Sequence, residues 1–308
     1  MVQENKSCTF KTSIGGQALM EGILMRGPEK QAIVCRKPDG ELETKIEDVK
    51  PVPKIPFVRG ISIFVSSLYN GMSALSYSAS LQPEESQEEP GKFDQWLEKK
   101  LGGEKAEKAV IGLAVVLGIA LSIGLFVLLP AFLFELLPDS IHLVVRCILE
   151  GIIRIIIFLV YLWLSSRMKE IKRVFSYHGA EHKTIFCYEK GLPLTVENIR
   201  VQSRFHPRCG TSFMVLMLIV GIIVSIFIRV DNLVLRTGLK LLTFPIVVGV
   251  GYELIKLAGR ADNIFTRIIS APGKWLQHVT TREPDDSMIE CAIAAMEKVI
   301  PDDDSDQW

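Results

Sequence analysis

The feature that most constrains how this chain folds is a run of 29 residues, 109–137, in which Glu135 is the single charged side chain. About 20 consecutive apolar residues are enough for a helix to cross the hydrocarbon core of a bilayer. Three more apolar segments follow, at 141–164, 213–228 and 239–257. The sequence therefore predicts a membrane protein that is mainly α-helical, with about four transmembrane helices.

The distribution of positive charge predicts how these helices are oriented. The segment between the second and third apolar runs, 165–212, carries nine Lys and Arg residues against four acidic ones, whereas 138–140 carries no Lys or Arg. Cytoplasmic loops are enriched in Lys and Arg. We therefore expect a multi-pass protein whose membrane domain covers 109–257, with the 165–212 loop and both termini in the cytoplasm.

The N-terminal part has the turn signals of a small β-rich unit, predicted at 12–60. Gly and Pro pairs at 15–16 and 27–28 bracket one segment, 17–26. A Lys-Pro-Asp-Gly sequence at 37–40 separates two further segments and predicts that they form a hairpin.

Three further segments complete the predicted organisation. They are a surface helix at 61–80, a polar linker at 82–108, and a C-terminal cytoplasmic segment at 258–308 that contains an amphipathic helix at about 284–300. We expect the acidic residues 302–306 to form a solvated, disordered tail.

Composition limits the cellular compartments and the partners that we expect for this chain. Lys and Arg number 35 and so do Asp and Glu, so the charge balance predicts no nucleic-acid partner. No apolar segment follows the first residues, so we expect no cleavable signal peptide. Six scattered cysteines do not resemble a disulfide framework, which favours a reducing environment. The predicted partners are the lipid bilayer and other membrane proteins.

The densest group of reactive side chains lies between residues 176 and 212. His178, Glu181 and His182 form a His-x-x-Glu-His sequence. On a helix, the two imidazoles lie one turn apart and can bind one Zn²⁺, while the glutamate can act as general base on a water bound to the metal. This is the order found in inverted zinc proteases. The sequence thus predicts a zinc site with Glu181 as the catalytic residue.

The group that completes the metal site is left open by the sequence. His206 and Cys209 have the spacing of a ligand pair and would close a tetrahedral, structural site together with His178 and His182. Glu253, about 70 residues after the motif, would instead leave one position for water, as catalysis requires. Cys209 also has basic neighbours that favour a reactive thiolate.

A second group of ionisable residues is predicted inside the membrane. Arg146, Glu150 and Arg154 are spaced four apart in the second apolar run, so they share one helix face. Charged groups at this depth usually face the interior of a helix bundle or a water-filled path. We interpret them as a structural ion ladder, with a polar path or an anionic headgroup site as the alternative.

Four sequence segments resemble the bacterial YqhQ-like membrane proteins, the family of domain of unknown function 1385. These segments lie at 15–28, 177–183, 206–211 and 280–286, and the resemblance extends over nearly the whole chain. It implies a bacterial inner-membrane protein and a metal-dependent enzyme, although that description depends on the same histidine motif. The resemblance does not imply a particular substrate.

Two functions follow as hypotheses. The first is a membrane-anchored zinc hydrolase with its site on the cytoplasmic side. The second is a non-enzymatic accessory or scaffold subunit of a membrane complex, in which the His/Cys cluster is structural. In either case Glu21 and Arg26, in the 15–28 segment, are expected to cover the site or to contact a partner.

Overall fold

The computed structural model divides the chain into two compact units. The first unit comprises Met1–Gln82, Tyr161–Gly221 and Thr243–Trp308, and the second comprises Pro83–Val160 and Ile222–Leu242. The residues that the structure describes are 10–53, 55–82, 103–136, 140–228, 230, 232–260 and 263–307.

The N-terminal part of the first unit is a four-stranded antiparallel sheet. Its strands follow one another in space as in sequence, and they are β1 (Gly15–Leu19), β2 (Gly22–Arg26), β3 (Lys30–Arg36) and β4 (Leu42–Asp48). The hairpin predicted at 37–40 is confirmed, and Gly40 has the positive φ of 89° that favours glycine in such a turn.

The single segment predicted at 17–26 is instead a second hairpin. Leu19 pairs with Gly22 across a turn made by Met20 and Glu21, and Glu21 has a φ of 48°. This turn has no proline and has no glycine at its left-handed position, so the residues that usually predict a turn are missing from the sequence.

Helices account for most of the remaining described residues. They are α1 (Val58–Ser80), α2 (Gly103–Ile123), α3 (Leu129–Glu135), α4 (Leu143–Ser165), α5 (Lys169–Glu189), α6 (Val196–Arg200), α7 (Gly210–Ile226), α8 (Leu233–Leu242), α9 (Phe244–Arg260), α10 (Ile264–Thr280) and α11 (Asp286–Glu297). A π-helical turn, Gly124–Leu128, joins α2 to α3. The predicted surface helix is α1. Most of the predicted linker, 83–102, lies outside the described residues, and α2 begins inside its last part.

The sheet is covered by helices on both faces. Alternate residues of β2 and β3, among them Ile23, Met25 and Val34, enter the main core with side chains from α5 and α11. The residues between them, such as Leu24 and Ile33, pack on the opposite face against Ala74 of α1. This alternation follows from the two-residue period of a strand.

The apolar helices do not match the predicted number of four spans. Val115–Glu135 and Val144–Ser165 are long and apolar enough to cross a membrane. A third span results only if Val234–Leu242 and Phe244–Leu257 are counted together, since the helix breaks between them, and Gly210–Ile226 is too short by itself. The described residues therefore hold two candidate spans, or up to three. The prediction counted the run at 239–257 as one span although Pro245, which lacks a backbone donor, interrupts it next to the break.

In the second unit, Glu150 is the centre of the predicted polar face. Its carboxylate, 2 % exposed, accepts a hydrogen bond from Arg154 Nη2 at 2.9 Å and from Lys240 Nζ at 2.6 Å. Arg146 stacks on the ring of Phe134, 4.6 Å from its centre. The structure adds Lys240, on α8, to the ladder. The ladder therefore joins α4 to α8 by a buried ion pair.

The prediction of a disordered tail at 302–306 is wrong. The C-terminal helix, α11, is packed into the core, and the residues after it return to the N-terminal segment. Asp306 is buried, and its carboxylate accepts a hydrogen bond from Thr12 Oγ1 at 2.5 Å. Gln307 forms a bridge with Thr12. The acidic composition of these residues predicted a solvated tail, because composition does not show that Thr12, far away in the sequence, binds Asp306.

We expect Asp306→Ala to lower the free energy of unfolding by about 1–3 kcal/mol, because Thr12 Oγ1 loses its buried acceptor. Chemical denaturation of the purified protein measures this change. Asp302→Ala, an exposed residue of the same tail, is the matched control and should have little effect. Equal effects of the two variants would contradict the ordered tail.

Glu150→Gln should lower the melting temperature in detergent, since breaking a buried ion pair costs about 3–5 kcal/mol when the other charges stay buried. The affected partners are Arg154 and Lys240. Glu170→Gln, at an exposed position on α5, serves as control. An unchanged melting temperature for Glu150→Gln would argue against the ladder.

Candidate metal centre

The His-x-x-Glu-His sequence lies in the middle of α5, as its predicted chemistry requires. The helix is continuous over 21 residues, from Lys169 to Glu189. His178 and His182 lie on one face with ring centroids 4.4 Å apart. Most side chains of this second half of the helix are buried, so the motif lies inside the first unit and not on a surface loop.

Cys209, the residue before α7, completes a group of three potential ligands. The ligand atoms of His178, His182 and Cys209 all lie within 4.8 Å of one another. His178 Nε2 is 3.2 Å from Cys209 Sγ. Two imidazole nitrogens and a thiolate are ligands that Zn²⁺ prefers. The residues present therefore fit a transition-metal ion.

Backbone carbonyl groups orient both imidazoles. His178 Nδ1 is 2.8 Å from the carbonyl oxygen of Thr280, and His182 Nδ1 is 2.6 Å from that of Arg204. Since a carbonyl oxygen can only accept, each Nδ1 carries a proton, and Nε2 is the ring atom left to bind a metal. Metal-binding histidines are usually held in this manner. His182 Nε2 is buried and has no hydrogen-bond partner among the described residues.

His206, a predicted ligand, has the opposite arrangement. Its Nδ1 accepts a hydrogen bond from the backbone N–H of Arg208 at 3.4 Å, and its Nε2 lies 3.5 Å from a carboxylate oxygen of Glu189. The proton of the neutral ring is thus on Nε2, which is buried and has no hydrogen-bond partner among the described residues, since its contact with Glu189 has only an ion-pair distance. The side chain of Gln277 fixes the main chain of His206 with hydrogen bonds of 2.7 and 2.8 Å. His206 supports the site, with its ring centroid 5.6 Å from that of His182, and is not in the ligand group.

Glu253, the alternative third ligand, has other partners. Its carboxylate accepts hydrogen bonds from Arg59 Nε at 2.7 Å and from the backbone N–H of Phe57 at 3.1 Å. These contacts join α9 to the start of α1. Sequence spacing cannot show that an arginine almost 200 residues earlier takes this carboxylate, so the structure replaces Glu253 with Cys209 in the ligand group.

Glu181 is buried between the two histidines and the sheet. One carboxylate oxygen, Oε1, accepts a hydrogen bond of 3.0 Å from the backbone N–H of Gly16. The other, Oε2, is buried and has no hydrogen-bond partner within the described ranges. Burial raises the pKa of Glu181. A Cβ at position 16 would lie 2.6 Å from the Leu24 carbonyl oxygen and 3.1 Å from the Glu181 carboxyl carbon, so glycine is needed there. The sequence signal was the pair Gly15-Gly16, which we interpreted only as a turn.

A cavity of about 120 Å³ adjoins this group. Glu181, His182 and Cys209 line one part of it, and residues 12–16 line another. This volume has room for a few water molecules or a small substrate group.

The electrostatic environment favours a cation between His178 and Cys209. Burial would lower the pKa of His178, but the Cys209 thiolate and Glu181 outweigh it and raise that pKa to about 9. Burial would raise the pKa of the Cys209 thiol, yet the charges of His178 and His182 lower it well below its usual value. A metal ion would take the place of the shared proton.

Gly179 lets another segment cross α5 beside the motif. The backbone N–H of Arg282 donates to the carbonyl of Phe175, and a Cβ on Gly179 would overlap the carbonyl oxygen of Arg282. The Thr280 carbonyl that holds His178 belongs to this crossing segment. The glycine, which weakens a helix by itself, is therefore required for the contact.

Glu21 and Arg26 do not line this cavity. The Glu21 carboxylate is paired with Arg173 and accepts a hydrogen bond from Tyr177 at 3.2 Å, so it fixes the β1–β2 turn to α5. Arg26 is half-buried at the end of β2, where burial lowers its pKa. The covering segment is 12–16 instead.

Glu189, at the end of α5, is a supporting residue that sequence reasoning missed. Its buried carboxylate pairs with Arg208 and accepts a hydrogen bond of 2.9 Å from the backbone N–H of Thr12. Burial would raise the pKa of Glu189, but His206 and Arg208 outweigh burial and lower it. The pair ties the loop that contains Cys209 to α5.

Comparisons with known proteins identify the family of this chain. The chain has a sheet that is covered by helices on both faces, a buried His/Cys group and apolar helices. A family model described as a protein of unknown function (DUF1385) matches residues 55–302. The uncharacterized protein YqhQ of Bacillus subtilis (strain 168) is 35 % identical over 302 residues, covering 93 % of this chain and 92 % of that protein. The chain belongs to the DUF1385 family, which confirms the resemblance seen in the sequence. No solved structure matches it.

Gly179→Ala should disrupt the ligand group, since the added methyl group displaces the crossing segment and with it the Thr280 carbonyl. We expect a loss of stability of several kcal/mol, comparable with other overpacked sites, measured by chemical denaturation. Gly15→Ala, where an added Cβ meets no atom within 4 Å, is the control and should retain wild-type stability. Similar stabilities for both variants would refute the close crossing.

Proposed function

We propose that this protein is a metal-dependent hydrolase that uses Zn²⁺ held by His178, His182 and Cys209. The observation that carries the proposal is their convergence: three ligand atoms within 4.8 Å, with Glu181 beside them on the same helix. Sites with three protein ligands keep a fourth position for water, which is typical of catalytic zinc. The placement of His206 outside the group supports an open site over a closed one.

Glu181 is suited to the role of general base. Its Oε1 is fixed by the Gly16 N–H, while Oε2 has no hydrogen-bond partner in the part of the chain that the structure describes. A zinc ion would supply Lewis acidity, which lowers the pKa of bound water to about 7. Glu181 would accept the proton of that water as it attacks a carbonyl or phosphoryl centre, and would return it to the leaving group.

Membrane anchorage is part of the proposal. Large apolar side chains are exposed along the two longest candidate spans, including Val116, Leu121, Ile156 and Val160. Exposed apolar surface of this extent is stable in a lipid environment. The excess of Lys and Arg in 165–212 supports a site on the cytoplasmic side of a bacterial inner membrane, with both termini there and the bilayer as partner.

The size of the cavity favours a second candidate function. A volume of about 120 Å³ beside a buried cluster also suits a structural metal ion in a scaffold subunit of a membrane complex. The two candidates differ in whether Glu181 is needed for anything beyond stability.

Metal analysis of the purified protein should find about one zinc ion per chain, as the three ligands imply. The Co²⁺-substituted protein should show a thiolate-to-metal charge-transfer band that Cys209→Ser removes. Absence of any stoichiometric transition metal would refute both candidates.

Glu181→Gln should keep the metal and lower hydrolysis by about 10²–10⁴-fold, the usual contribution of a general base. A panel of ester, amide and phosphoester substrates measures this activity. Glu170→Gln, an exposed residue on the same helix, should act as wild type. Metal-dependent hydrolysis that survives Glu181→Gln would refute this role, and a loaded protein inactive on every substrate class would favour the scaffold.

A further inference from the structure

A cleft of about 640 Å³ lies in the first unit and shares no lining residue with the cavity at Glu181. We call it the basic cleft. Five basic side chains from α5, α10 and the loops that follow α6 and α10 line it, and they are Lys172, Arg173, Arg204, His278 and Arg282.

The charge in the wall of the basic cleft is only partly compensated. Against its Lys and Arg residues stand two carboxylates, Glu283 and Asp285. Glu283 is shared, because it pairs with Arg204 in the cleft at 3.4 Å and with Lys183 outside the cleft at 2.6 Å. Arg173 is paired with Glu21. A positive excess therefore remains after these pairs are counted, with Lys172 exposed on the first turns of α5.

We propose that the basic cleft binds a phosphate group, carried either by a lipid headgroup or by a soluble phosphate compound. Guanidinium and ammonium groups together are the usual phosphate ligands of proteins, since arginine binds two oxygens at once and lysine adds a point charge. The volume of the cleft exceeds that of inorganic phosphate and suits a phosphorylated small molecule or a headgroup.

Arg204 connects this cleft to the histidines of the metal centre. Its guanidinium lines the cleft and donates a hydrogen bond of 3.0 Å to Thr281 Oγ1, whereas its carbonyl oxygen accepts from His182 Nδ1. The residue before Thr281 is Thr280, whose carbonyl holds His178. A phosphate on Arg204 would therefore contact the residue that orients His182, and Thr281, the neighbour of the residue that orients His178, although binding itself does not require a metal.

The helix α10 indicates one source of the phosphate. His278 in the cleft wall follows three residues after Trp275, which is 62 % exposed, and Ile268 and Ile264 are exposed about two and three turns before Trp275. An exposed apolar stripe with tryptophan is typical of a helix at a membrane interface. A headgroup would reach the basic cleft from there.

Isothermal titration calorimetry tests the proposal, with inorganic phosphate titrated into the detergent-solubilised full chain. We expect saturable binding that Lys172→Gln weakens about tenfold, the effect of losing one charged hydrogen-bond donor. Lys169→Gln is the matched control, because Lys169 is exposed on the same helix and does not line the cleft. Equal affinity in both variants, or no saturable binding in the wild type, would overturn the proposal.

Two additional arms separate the sources and the sites. In nanodiscs with phosphatidylglycerol, phosphate affinity should fall relative to phosphatidylcholine discs if a headgroup occupies the cleft, and equal affinities would indicate a soluble phosphate compound. Repeating the titration after chelation tests the metal centre separately. Phosphate binding that chelation abolishes and Lys172→Gln leaves unchanged would belong to the metal, and the basic cleft would be refuted even if the hydrolase proposal held.

Discussion

The hydrogen bonds from His178 and His182 to two backbone carbonyls are the contacts on which the site depends. One carbonyl belongs to Thr280 and the other to Arg204, so segments about 75 residues apart must both reach α5. Gly179 makes room for the first of them. A protonated Nδ1 leaves Nε2 as the ligand atom, so the tertiary fold itself sets the tautomer. Helical spacing alone would bring the rings together without deciding which nitrogen points at a metal.

The buried carboxylates of the first unit have different partners, and this difference marks Glu181. Glu189 is paired with Arg208, and its pKa is lowered. Glu181 has one backbone donor, Gly16, and its pKa is raised by burial. A carboxylate placed in this way is typical of a reactive group, whereas one held by a cation is typical of a structural tie. The sheet contributes to this contrast, because β1 carries Gly16.

Much of the fold could be predicted from local patterns. The β3–β4 hairpin, the helix around His178 and the long apolar runs all follow from turn residues and from periods of two or 3.6 residues. The turn at Glu21 was missed, since it lacks the usual turn signals. The apolar run around the break before Phe244 was counted as one span although Pro245 interrupts it. The acidic end was predicted as solvated because its partner, Thr12, is almost 300 residues away.

The sequence was enough to predict that His178 and His182 share a helix face, with Glu181 beside them, and that Cys209 is near them in the chain. The three-dimensional arrangement was needed to show that Cys209, and not Glu253, joins them. The physical reason is that helical spacing acts over a few residues, whereas ligand choice depends on which distant groups occupy each side chain. Arg59, which takes the carboxylate of Glu253, is such a group, and no local pattern relates the two.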